Sequence, residues 1–205
     1  EVWPFTVYGN LVNTFRDKGY QDGEDLFTVA YDWRFSVQDS ADVLAGIVEQ
    51  ALANSPTGKV NIIAHSMGGL VTKEYLSRPD VSSNINNVVL LGVPNLGALK
   101  AFKVLNYGDD FDLSKYGVGL SSQKAKEISQ NMPGVYELLP SREYLHLKGG
   151  YVRDFRNNQN LTLSYDQINN FMTGNPDLPD YRNSSLITSA DNYHQSVDTT
   201  SISGP

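Results

Sequence analysis

Cysteine is absent from the 205 residues, which excludes disulfides, a thiolate nucleophile and any cysteine metal site, and leaves the redox compartment unread. Histidine occurs only three times, at His65, His146 and His194, so a reaction that needs an imidazole base has three candidates. Positive charge is scarce. Sixteen Lys and Arg against 23 Asp and Glu give a formal charge of −7 and a pI near 4.9, which argues against nucleic acid or an anionic membrane surface as partner. A neutral or zwitterionic substrate stays open. No apolar run approaches the ~20 residues of a membrane-spanning helix, and no signal-peptide pattern opens the chain, so the chain reads as soluble. Internal repeats are absent. What is present is 40% hydrophobic content, enough for a core in one domain of ordinary size.

The most informative stretch is Val60-Asn61-Ile62-Ile63-Ala64-His65-Ser66-Met67-Gly68-Gly69-Leu70-Val71. A short β-branched run, apolar enough to be buried on both faces, leads into a serine flanked by small residues and then into a helical pattern. This is the pattern of a nucleophile elbow. The turn from strand to helix is so sharp that the positions two before and two after the serine must be small. Here they are Ala64 and Gly68, so the motif is A-x-S-x-G instead of G-x-S-x-G.

In chain order, Phe5, Tyr8, Leu11, Val12 and Phe15 predict a first amphipathic helix stopped at Gly19. Leu26 to Tyr31 reads as a strand ending at Asp32-Trp33-Arg34. A helical stripe of Val43, Leu44, Ile47, Val48, Ala51 and Leu52 follows from about Asp39, taken as N-cap, to Asn54-Ser55-Pro56. After the elbow and its helix comes a second buried strand, Val88 to Pro94. Strands alternating with helices predict right-handed βαβ units and a parallel sheet, with Ser66, Asp32-Trp33-Arg34 and Pro94-Asn95-Leu96-Gly97 on the rim where ligands bind. Beyond Gly97 the composition turns polar, as in an insertion over that rim. Within it Ser122 to Met132 and Gly134 to Pro140 read as helical pieces, and Ser164-Tyr165-Asp166-Gln167 as a capping box with Gly174 as the stop. Leu186, Ala190, Tyr193 and Val197 mark a last helix.

Tyr31-Asp32-Trp33-Arg34, Ala64-His65-Ser66-Met67-Gly68-Gly69 and Pro133-Gly134-Val135-Tyr136-Glu137-Leu138-Leu139-Pro140-Ser141 together resemble the lecithin:cholesterol acyltransferase family of α/β-hydrolases. The resemblance implies a three-layer α/β-hydrolase fold, a parallel sheet flanked by helices with a cap insertion, incomplete at both ends. It divides the chain into a core over residues 1–97, a cap over 98–180 and a return helix over 181–205. It also implies a serine hydrolase or O-acyltransferase acting on lipid esters through an acyl-enzyme on Ser66. The Met67 backbone N–H would then be an oxyanion donor, being the residue after the serine at a helix N-terminus. No cofactor or metal is called for. The expected partners are a lipid or acyl-ester substrate, with transient lipid-surface contact through the cap, and the expected setting is secreted or extracytoplasmic. The Asp32-Trp33-Arg34 motif reads as a loop locked by an Asp–Arg pair under a packed tryptophan.

A serine nucleophile needs a histidine base and a carboxylate to orient it. His65 points to the other side of the elbow turn, and His146 reads as a surface or structural histidine within the cap. His194 follows Asp191 in the α/β-hydrolase order Ser, Asp, His, with Asp198 four residues on. Yet an Asp and a His three apart on one helix pair along its surface, which leaves little freedom to aim the second ring nitrogen at Ser66. The surface pair is the preferred reading of Asp191 and His194, and the triad the alternative.

In the family, acid and base follow separate strands after the cap, and no strand pattern follows residue 181. The resemblance also implies a strand lying between those that end at Tyr31 and Ala64, and no stretch of this sequence supplies it. The chain is therefore expected to be an internal piece, inactive alone, whose sheet gap is closed by direct pairing or filled by Glu1 to Pro4, a second copy or another polypeptide segment, the last favoured. Two other functions remain: a non-catalytic lipid- or protein-binding module that keeps the elbow without a triad, and an esterase or thioesterase on small acyl groups.

Overall fold

The computed structural model describes residues 8–109, 121–155, 160–174 and 183–197. It begins with α1 (Gly9–Asp17), whose residues are all at least partly exposed. The expected contribution of Phe5 to this helix lies outside the described residues. Leu26 to Tyr31 does not form the expected strand: after an isolated bridge between Asp22 and Leu26, residues 27–32 run without regular hydrogen bonding. An extended segment becomes a strand only beside a partner, and none of the described residues supplies one here. Val29 and Tyr31 nevertheless pack on the core.

Helix α2 (Val37–Asn54) starts three residues before the expected point. Ser36 is its N-cap, accepting from the Asp39 N–H, and Asp39 returns the bond as the N3 member of a capping box. Aspartate was mistaken for the cap because it also suits the first turn, where its charge meets the helix dipole. Next come β1 (Val60–His65), α3 (Met67–Leu76), a 3-10 turn (Val81–Asn84) and β2 (Ile85–Leu91). The two strands are parallel, with Ile62 opposite Val88, Ile63 opposite Val89 and Ala64 opposite Leu90. The second strand begins earlier than the apolar run suggested, because Asn86 and Asn87 donate side-chain hydrogen bonds to Asn61 on the neighbouring strand at 3.1 and 2.9 Å. It ends at Leu91, short of the expected Pro94, because Gly92 turns the chain at φ +56°.

One face of this ladder is covered. Ile62 and Ala64 meet Val37, Ala41, Leu44 and Val48 of α2 and Leu70, Val71 and Tyr75 of α3 in a buried cluster. Each fully buried Leu or Val there contributes roughly 1.5 to 3 kcal/mol.

The remaining elements are α4 (Leu99–Tyr107), α5 (Ser122–Ser129), α6 (Pro133–Glu137), α7 (Arg142–Lys148), a small antiparallel pair β3 (Arg153–Asp154) and β4 (Leu161–Thr162), α8 (Tyr165–Gly174) and α9 (Ser184–Val197). The capping box at α8 forms as read, Ser164 and Gln167 bonding reciprocally. Sequence reading missed α4, α7 and the β3–β4 pair, whose two-residue strands are too short for a periodicity signal. These elements build a second cluster around Phe102, Leu105, Tyr136, Ile168 and Met172. Helix α9 joins the two: Ile187 and Ala190 lie in the second cluster, Tyr193 and Val197 in the first. The result is a mixed α/β architecture with a parallel ladder flanked by helices.

Candidate active site

Ser66 stands between β1 and α3 with φ +53° and ψ −131°, a backbone state that costs a non-glycine residue about 1 to 3 kcal/mol. Its surroundings hold it there. The Ser66 N–H extends the parallel ladder to the Leu91 carbonyl at 2.9 Å, and its own carbonyl accepts from Gly69 at 2.9 Å to open the helix. Ala64 is buried beneath it. A Cβ on Gly69 would overlap the Val93 side chain, so the glycine permits α3 to lie close on the chain leaving β2, whereas Gly68 faces the Tyr31 hydroxyl at ordinary contact distance. The first-turn N–H groups of Met67 and Gly68 have no intrahelical acceptor, as at any helix start, and they open beside the serine. Ser66 itself is half-buried.

The motifs that were distant in sequence converge on this rim. The carbonyls of Trp33 and Phe35 and the Met67 side chain crowd the α-carbon of Gly134 so closely that a Cβ there could not be placed. The Gly134 N–H donates to the Arg34 carbonyl at 3.4 Å. On the other side, Ala98 N–H donates to Leu138 and Ser141 N–H to Leu96, at 2.7 and 3.0 Å, and Gly97 fits against Leu139 and Pro140 only because it lacks a side chain. Residues 95–98 and 138–141 are thus zipped together.

Arg34 does grip Asp32, Nε lying 2.7 Å from Oδ1, and the pair holds the Asp32 carboxyl below the usual carboxylate range. Trp33, however, is 50% exposed. The expected burial of the tryptophan fails because the turn uses backbone carbonyls, not the indole, to meet α6.

The C-terminal candidates are separated by their partners. Asp191 accepts from the Tyr165 hydroxyl at 3.0 Å and lies 3.5 Å from Arg142 Nε. Arg142 also stacks over the Tyr165 ring at 4.3 Å and bonds Asp166 at 3.0 Å. His194 is buried, 3% exposed, on α9, with its ring beside that of Tyr193 at 5.4 Å. Among the described residues Asp191 is thus engaged by Tyr165 and Arg142 on other helices, not by His194. Asp198 lies outside the described residues. His65 accepts or donates at Nδ1 with the Tyr8 hydroxyl at 2.9 Å, and His146 is a surface residue 3.5 Å from Glu143. Among the described residues no histidine is hydrogen-bonded to Ser66.

Glu137 went unnoticed in the sequence. Its Oε2 accepts the Val37 N–H at 2.7 Å at the start of α2, yet burial dominates and pushes its carboxyl up to about 7. The Asn-free apolar surroundings of Glu137 in Val-Tyr-Glu-Leu-Leu were the available signal, since a carboxylate inside such a run needs a donor.

The profile of the lecithin:cholesterol acyltransferase family matches residues 4–201. The chain belongs to that family. It is 32% identical over 149 residues to the dog lysosomal phospholipase A and acyltransferase, covering 69% of this chain and 36% of that protein. It is 35% identical over 112 residues to the mouse phosphatidylcholine-sterol acyltransferase, covering 51% and 24%. A chain in the crystal structure of the Tle4-Tli4 complex superposes with a TM-score of 0.58 at 19% identity, over 96% of this chain and 45% of that one. The fold is accordingly that of the α/β-hydrolases, and the chain spans between about a quarter and under a half of these relatives.

Proposed function

We propose that this chain carries the nucleophile and part of the cap of a lipid-ester serine hydrolase or O-acyltransferase. The observation that carries the reading is the positive φ of Ser66 at the junction of a parallel strand and a helix, a strained backbone state of the kind a nucleophile elbow requires. In the reaction, Ser66 Oγ attacks the ester carbonyl and the Met67 N–H stabilises the oxygen that becomes negative. The Ser66 proton passes to a general base, which the described residues do not place beside it, and from there to the departing alkoxide, so that collapse expels the alcohol and leaves an acyl-Ser66, which passes its acyl group to water or to a second alcohol. The names of the relatives, a phospholipase A and a phosphatidylcholine-sterol acyltransferase, support a phospholipid as acyl donor. Residues 98–180 form the cap in this reading, and 181–205 the return to the core.

The engagement of Asp191 by Tyr165 and Arg142 supports a further element of the proposal: these 205 residues do not assemble a triad and turn over slowly. It is also what favours the second reading, a binding module that keeps the elbow. A fluorophosphonate probe separates the two. Covalent labelling that Ser66→Ala abolishes, with little steady hydrolysis of p-nitrophenyl esters, is the expected result. No labelling of either protein supports the binding module, and rapid hydrolysis lost in His194→Ala would restore the Asp191–His194 pair as catalytic.

A further inference from the structure

Helix α6 is five residues long, yet Gly134, Val135, Tyr136 and Glu137 are all buried. Glu137, 5% exposed, reaches across 100 residues of sequence to accept the Val37 N–H at 2.7 Å. Val37 is the first residue of α2, so its N–H has no intrahelical acceptor and the carboxyl takes that place. Three residues before Glu137, Gly134 lies against the Met67 side chain and the carbonyls of Trp33 and Phe35, too close for a Cβ. The short helix is thus held to the core at two points, and the second is the residue that follows Ser66. A glutamine would accept the same N–H without the cost of burying a group that ionises, so what the carboxyl adds is a dependence on its proton.

We infer that Glu137 is a positioning residue for the elbow: while it holds its proton it pins α6 to the first turn of α2 and keeps Gly134 seated on Met67, and loss of the proton releases the pin. The titratable groups that face it are Asp39 on α2, Glu74 on α3 and His194 on α9. Burial outweighs the Val37 bond and pushes the docked carboxyl up to about 7, whereas a released carboxyl in water returns to its ordinary range. The docked state therefore binds the proton more tightly, so docking is strongest in acid and weakens as pH rises through 7. When α6 lifts, Met67 loses the neighbour packed on its side chain, and its N–H loses the support that fixes it beside Ser66. That last step rests on the proposed oxyanion role of the Met67 N–H; the pin itself does not.

Peptide-resolved hydrogen–deuterium exchange of the unaltered chain tests the pin, each rate being divided by the intrinsic rate at the same pH. Between about pH 5 and about pH 8 the opening of residues 133–137 and of the Val37 amide should become roughly 50- to 100-fold more favourable, as a carboxyl at about 7 docked and 4.5 released requires. Exchange of 133–137 that never outruns that of β1 would mean that α6 opens only with the whole domain, and would overturn the inference. Glu137→Gln should flatten the profile, and a dependence that survives in it would belong to another of the facing groups and overturn the inference equally. The ratio of fluorophosphonate labelling rates, unaltered chain over Glu137→Gln, reads the effect on Ser66 with the intrinsic pH dependence of labelling removed. It should fall by about threefold or more from about pH 6 to about pH 8. A flat ratio would break the link from Glu137 to the elbow. If neither protein labels, the nucleophile proposal fails, and the amides of Met67 and Gly68 then read the link: they should gain exchange together with 133–137, and constant protection there would refute it.

Discussion

On one face of the ladder Ile62 and Ala64 are 9% and 7% exposed, whereas on the other Ile63 and Val89 are 44% and 46% exposed, although all four are apolar residues of the same two strands. The covered face has two helices whose stripes match it, α2 capped by Ser36 and α3 launched from the elbow. Among the described residues the open face meets Tyr8, at the N-terminus of α1, through its contact with His65, and no residue of that helix is buried. Apolar alternation in a strand thus states a demand for burial without saying whether a neighbour meets it. Ser66 depends on the side where the demand is met: its strand, its helix and the Val93 contact of Gly69 all belong to the covered face.

The largest expected effect comes from comparing the faces directly. Ile62→Ala should destabilise the chain by about 3 kcal/mol, as a buried truncation that leaves a cavity does, and Ile63→Ala by no more than about 0.5 kcal/mol. Chemical denaturation measures both, and equal losses would mean that the open face is covered in solution.

A smaller effect probes how dry the covered side is. The Glu137 carboxyl holds its proton up to about 7 when folded, against the ordinary 4.5, so the folded state binds the extra proton in that window. The contribution of Glu137 to stability should be greatest below pH ~4.5 and fall as pH rises through 7, by about 3 kcal/mol in all. Glu137→Gln keeps an acceptor for the Val37 N–H and should abolish that fall, becoming the more stable protein above pH 7. Parallel stability–pH curves would show that the site is wet.

The smallest concerns Asp191. Because its partners are Tyr165 and a largely exposed Arg142, Asp191→Asn should cost less than about 1 kcal/mol and leave fluorophosphonate labelling of Ser66 within about twofold. A labelling rate that collapses in a folded variant would make Asp191 part of the nucleophile's machinery after all.

The elbow was legible because every requirement on it is local: a β-branched strand, small residues at positions 64 and 68, and a helix pattern from Met67. The capping box at Ser164 and the helices α5 and α6 were legible for the same reason. The start of α2 was less so, since Ser36 and Asp39 are both good first-turn residues and only the returned hydrogen bond tells cap from N3. The segment from Leu26 to Tyr31 has strand composition, but pairing is a property of two segments, and composition describes one.

Sequence by itself determined the strand–serine–helix unit, the covered face's apolar stripes and the family, because these rest on backbone sterics and on periodicity within single elements. Tertiary structure decided which side of the ladder is closed, that Trp33 meets solvent while its carbonyl meets Gly134, and that Asp191 turns to Tyr165 while Glu137 accepts the Val37 N–H. Those outcomes depend on long-range packing and on competition between partners for one carboxylate or one donor, and a residue's neighbours along the chain do not settle which partner arrives.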